Sequence, residues 1–148
     1  MTDIARLALA AALGLGLAAP GASSLAQEGG RPLSAHLTGA AEKPGPGDPD
    51  GAGHATVRVN VGQSQVCWDL MVENIAPATM AHIHKAPADA AGPPVVTLTA
   101  PGADGKSSGC AAADPAVAKD ILQNPAAYYV NVHNADFRPG AVRGQLGK

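Results

Sequence analysis

The chain has 148 residues and a formal net charge of −2, long enough for one domain with its own core and too short for two. Its lysines and arginines stand singly from Arg31 to Lys148. A nucleic-acid binder needs them clustered on one face, so that class of partner is excluded.

Ile4 to Ala19 is apolar apart from Arg6 and leads into Pro20, Gly21 and the small-residue run Ser24-Leu25-Ala26. That is the layout of a secretory signal peptide cleaved near Ala26. The run is short for a membrane span of about 20 residues and is broken by glycines. The expected organisation is a leader over 1–26, a flexible polar tail over 27–32 and one domain over 33–148, periplasmic or secreted, with no membrane span in the mature form.

Short alternating runs follow. Leu33 to Thr38 reads as a strand, and Ala40 to Gly53, loaded with Pro, Gly and Asp, reads as a loop. Ala55, Val57, Val59 and Val61 alternate with His54, Thr56, Arg58 and Asn60. Val66, Trp68, Leu70 and Val72 then alternate with Gln65, Cys67, Asp69 and Met71. Both have the period of a strand with one buried face, and they pair through a turn near Gly62 to Ser64. Further strands are expected at Thr79 to His84, Val95 to Thr99, Tyr128 to His133 and Ala141 to Leu146. A crossover helix is expected over Pro115 to Leu122, with Asp114 as N-cap and Asn124-Pro125 as its stop. About seven short strands and few aromatic residues make this an all-β antiparallel sandwich or small barrel.

Cys67 and Cys110 form an even pair, which in an exported chain implies a disulfide; the alternative is a pair of thiolate metal ligands. Gly102 to Gly109, rich in Gly and Ser, reads as flexible, so the bridge is expected to pin a mobile loop to the sheet. Its reduction is expected to loosen the region that includes His82 and His84.

Ala81-His82-Ile83-His84 carries the strongest chemical signal. On a strand, His82 and His84 share a face while Ile83 enters the core. Tyr128 to His133 repeats the parity: Val130 and Val132 face inward, Asn131 and His133 outward. On the last strand Arg143 and Gln145 take the polar side. If these strands are neighbours, His82, His84 and His133 form a surface metal site oriented by Asn131, Arg143 and Gln145; the competing reading is a hydrogen-bonded knot between strands. Imidazole donors suit copper first and zinc second. His36 and His54 are further candidates, the latter by its strand parity, and Asp89 is a weak oxygen donor in the Pro-rich loop after His84. No Ser-His-Asp or Cys-His arrangement and no carboxylate pair is marked, so no catalytic residue is assigned and hydrolase readings drop out.

The runs Ala81 to His84, Tyr129 to His133 and Arg143-Gly144-Gln145-Leu146 make the sequence resemble the CHRD domain, the module named after chordin, over Leu33 to Leu146. The resemblance implies an extracellular or periplasmic immunoglobulin-like β-sandwich, comparable in shape to copper-zinc superoxide dismutase, and implies no general activity. The patterns of that dismutase's second, zinc site and of its electrostatic loop are missing from the sequence. The leading expectation is an exported domain that binds a metal ion, copper before zinc. Two alternatives are a non-catalytic adhesion or interaction module meeting an envelope or extracellular protein, and a dismutase-like copper redox enzyme.

Overall fold

The computed structural model describes residues 32–148; the expected leader, and the tail except Pro32, lie outside the described residues. The strands are β1 (Leu33–Thr38), β2 (Ala52–Asn60), β3 (Gln65–Glu73), β4 (Ala78–Lys85), β5 (Pro94–Leu98), β6 (Lys106–Ala112), β7 (Tyr128–Asn134) and β8 (Val142–Gln145), with a helix α1 (Pro115–Gln123) between β6 and β7. All strand pairs are antiparallel, and hydrogen bonding runs through one sheet in the order β5-β4-β7-β8-β1-β2-β3-β6. The sheet curls until its two ends meet, Ser107 Oγ after the turn donating to the Thr99 carbonyl at 2.7 Å, so the architecture approaches a barrel. Among the described residues no helix is long and apolar enough to cross a membrane.

Alternation decides which face closes inward. Leu33, Ala35 and Leu37 of β1, Ala55, Val57 and Val59 of β2, and Val66, Trp68 and Leu70 of β3 are all at most 4% exposed. Val130 and Val132 of β7 and Val142 of β8 meet them from the other side. The helix covers part of this core with Ala118 and Ile121. It begins as the sequence predicts, with the Asp114 carboxylate accepting from Ala116 N at 2.7 Å and Val117 N at 3.3 Å and Pro115 at its first turn. The side-chain cap satisfies amides that have no helical partner.

One element departs from expectation. The second half of the Gly- and Ser-containing run, from Lys106, belongs to an edge strand, β6, in register with β3 from Met71↔Lys106 to Gln65↔Ala112. Its residues are small and half exposed, so it carries no buried apolar stripe; pairing with β3 supplies the order. Gly109 lies against Trp68, where an added Cβ would meet the indole at 2.9 Å, and Ser107 Oγ accepts from Trp68 Nε1 at 3.1 Å. The Cys67–Cys110 disulfide is present between residues directly opposite on β3 and β6. It joins two paired strands rather than a loose loop and a sheet, and thiolate ligation is thereby ruled out for both cysteines.

Candidate metal centre

His82 and His84 stand on β4 and His133 on the neighbouring β7, all on the outer face of the curled sheet. The register pairs Met80 with His133, His82 with Asn131 and His84 with Tyr129, and β7 pairs Asn131 with Arg143 and Tyr129 with Gln145. The three sequence runs are therefore adjacent strands, as the surface patch required.

The rings converge. Centroids lie 5.4 Å apart for His82 and His84, 5.2 Å for His82 and His133 and 5.8 Å for His84 and His133. Two imidazoles holding one ion at about 2.0–2.1 Å put their centroids roughly 5.2–5.5 Å apart at tetrahedral to trigonal angles. One ring nitrogen from each residue lies within 4.8 Å of the others. His82 Nδ1 and His133 Nε2 are 3.2 Å apart, close to the roughly 3.3–3.4 Å between two nitrogens of one tetrahedral centre.

The cluster is less open than its parity predicts. His84 is 8% and His133 6% exposed, and only His82 is half open. Two loops cover the face. The loop after β4 returns so that the Gly92 carbonyl lies 2.8 Å from His84 Nδ1, and the turn after β7 sets the Arg138 carbonyl 2.9 Å from His133 Nδ1. Each carbonyl takes an Nδ1–H and so leaves Nε2 unprotonated, the arrangement by which carbonyls orient metal-ligating histidines; that of His133 accepts from His82 Nδ1 across the two strands. His133 Nε2 faces His82, whereas His84 Nε2 is buried and has no hydrogen-bond partner. Burial depresses the pKa of all three imidazoles, and the neighbouring His133 depresses His82 further. Neutral imidazole is the form that ligates.

Arg143 and Gln145 hold the covering loop, and the Arg143 charge also lowers the pKa of His84. The Arg143 guanidinium, 1% exposed, donates to the carbonyls of Ala90 at 2.9 Å and Pro87 at 2.8 Å. It also lies 3.5 Å above the centre of the Tyr129 ring, which stacks with His84 at 4.9 Å and whose hydroxyl accepts from Gly92 N at 3.2 Å. Gln145 Nε2 donates to the carbonyls of Ala86 and Ala126, both at 2.7 Å. Asn131 turns away from the rings and donates to the Glu42 carboxylate and the Val142 carbonyl. The Lys85–Pro94 loop is thus gripped from below, although Asp89 within it is exposed and outside the cluster.

The chain matches the family model of the CHRD domain over residues 33–146. It belongs to the CHRD domain family. No curated protein and no solved structure gives a significant match. In this CHRD domain the three matching runs are the strands that meet at the cluster. Gly144 of the last run sits where an added Cβ would lie 2.2 Å from the His36 carbonyl oxygen, so only glycine lets β8 lie this close to β1.

Three contributors were missed from the sequence. Tyr129 was legible as a strand residue but not as the plate between Arg143 and His84. Met80, 49% exposed, is in register beside His133; its parity with His82 was available as a signal. Glu42 lies in the Pro- and Gly-rich loop, where no periodicity predicts a neighbour, yet it is 4% exposed, and burial raises its pKa from 4.5 to about 7 against the hydrogen bond from Asn131 and the nearby Arg143 charge.

Proposed function

We propose that this CHRD domain is an exported metal-binding module that holds copper through His82, His84 and His133. The observation that carries the reading is the buried, unpartnered Nε2 of His84, in a cluster where the other nitrogen of His84 and of His133 is held by a carbonyl. A hydrogen-bonded knot between strands would leave no such orphan, since an unsatisfied buried polar atom costs about 1–3 kcal/mol. An ion at the cluster takes that lone pair. Copper is favoured over zinc because it binds nitrogen donors more tightly at equal geometry and tolerates a thioether, which Met80 supplies at the rim. The disulfide supports an oxidising compartment and hence export.

For the architecture we propose the immunoglobulin-like, superoxide-dismutase-like sandwich. Strands β5-β4-β7-β8 and β1-β2-β3-β6 make two halves, and the seam between β8 and β1 is thin, with Thr38↔Arg143 in the ladder and an isolated Ser34↔Gly147 bridge.

Equilibrium dialysis of the purified protein against copper(II) and zinc(II) at neutral pH tests the function. Wild type is expected to hold one more copper per chain than the His82→Ala/His84→Ala/His133→Ala variant. Equal binding by the two proteins overturns the assignment.

A further inference from the structure

The other two histidines stand on the opposite half of the sheet. His36 on β1 is directly opposite His54 on β2, and His54 is directly opposite Met71 on β3. All three project from the outer face, because their strand neighbours Ala35, Leu37, Ala55, Leu70 and Val72 fill the core. Directly opposed residues on one face of antiparallel strands have Cβ atoms about 4.5–5.5 Å apart. Imidazole, imidazole and thioether therefore form one continuous row across three strands.

We propose that His36, His54 and Met71 form a second metal site, selective for copper(I). Four observations carry it. The ring centroids of His36 and His54 are 5.0 Å apart with their planes tilted by 59°, a separation close to the roughly 5.2 Å of two imidazoles on one tetrahedral ion. Among the described residues neither ring has a hydrogen-bond partner, so nothing else claims their nitrogens. Met71 is 46% exposed beside them, so its side chain is open to solvent on the same face. The donor set itself is soft: two imidazoles and a thioether select copper(I), whereas calcium and magnesium require several oxygens. Asp69, a carboxylate lining this groove, is already paired with Arg58 at 2.8 Å. Both methionines of the described chain thus lie in register beside a histidine, Met80 next to His133 and Met71 next to His54.

The test is an anaerobic titration with copper(I), kept reduced by ascorbate, against a chromophoric copper(I) chelator. It is run on wild type and on the variant lacking His82, His84 and His133, so that failure here is separate from failure of the first site. The triple variant is expected to retain one copper(I) per chain. Adding His54→Ala or Met71→Leu should weaken that binding by at least about 10-fold, the lower bound for losing even an indirect partner of a metal ligand. X-ray absorption of the loaded triple variant should show a sulfur scatterer that Met71→Leu removes. If the triple variant does not fold, wild type serves: its stoichiometry should fall by one on His54→Ala, an exposed-face change checked for folding by circular dichroism. No copper(I) beyond the first site, or an affinity unchanged by His54→Ala or by Met71→Leu, overturns the proposal.

Discussion

Replacing Glu42 with Gln should abolish the pH dependence of stability that this one buried carboxyl imposes. Glu42 is 4% exposed, its carboxyl accepts from Asn131 Nδ2, and the backbone of Gly140 packs directly against it. Burial raises its pKa from 4.5 to about 7. An acid whose pKa is higher in the folded state binds its proton more tightly there. Its favourable contribution is therefore complete below pH 4.5 and declines as pH rises toward 7. The whole decline is about 3 kcal/mol, at 1.36 kcal/mol per pH unit between the two values, and about 2.5 kcal/mol of it falls between pH 5 and pH 8. Gln keeps the volume and the oxygen that accepts from Asn131 but cannot ionise. Urea unfolding of both proteins with the disulfide intact should show the Glu42→Gln variant gaining about 2.5 kcal/mol relative to wild type between pH 5 and pH 8, with equal m-values. The histidines contribute to both proteins alike, so the difference isolates this residue. Parallel pH profiles for the two proteins would refute the reasoning.

Arg143→Lys cannot reproduce the planar fork that holds the carbonyls of Pro87 and Ala90. It should lower stability by about 2–4 kcal/mol and, by releasing the loop that orients His84, weaken copper binding about 10-fold. Thermal unfolding and a copper titration check this, and a variant matching wild type in both would contradict the loop's role. Replacing both Cys67 and Cys110 by Ala removes a cross-link spanning 43 residues, worth about 4 kcal/mol in the loop-entropy account. Copper affinity at His82, His84 and His133 should stay within about twofold, because neither β3 nor β6 is hydrogen-bonded to β4 or β7 and sites without shared partners act additively. A large fall in affinity, as expected of a bridge pinning a loop, would refute this. In metal-free protein followed by NMR, His82, His84 and His133 should all titrate below 6.5. From 6.5 downward the unfolded chain takes up protons that the folded one refuses, so these residues add stability as pH rises through that window; a midpoint above 6.5 for any of the three would contradict their burial.

Most strands were legible in the sequence because each has one buried face, and burial on alternate residues writes a period of two. The same parity placed His82, His84 and His133 on one side of their strands, and the CHRD resemblance tied the three runs together. Parity says nothing about what lies over a face. The loops that bury His84 and His133, and the carbonyls of Gly92 and Arg138 that orient their nitrogens, come from chain segments without periodicity. Glu42 and Asn131 stand 89 positions apart in the chain. Strand β6 escaped notice for a related reason: its small residues bury little, and it is ordered by its partner, β3, rather than by its own pattern. The sequence by itself determined the types of the elements with a buried stripe and the faces of those strands, since both follow from local burial. Register, neighbour order and loop cover were decided only by the tertiary structure, because the hydrogen bonds that set them join residues far apart in the chain.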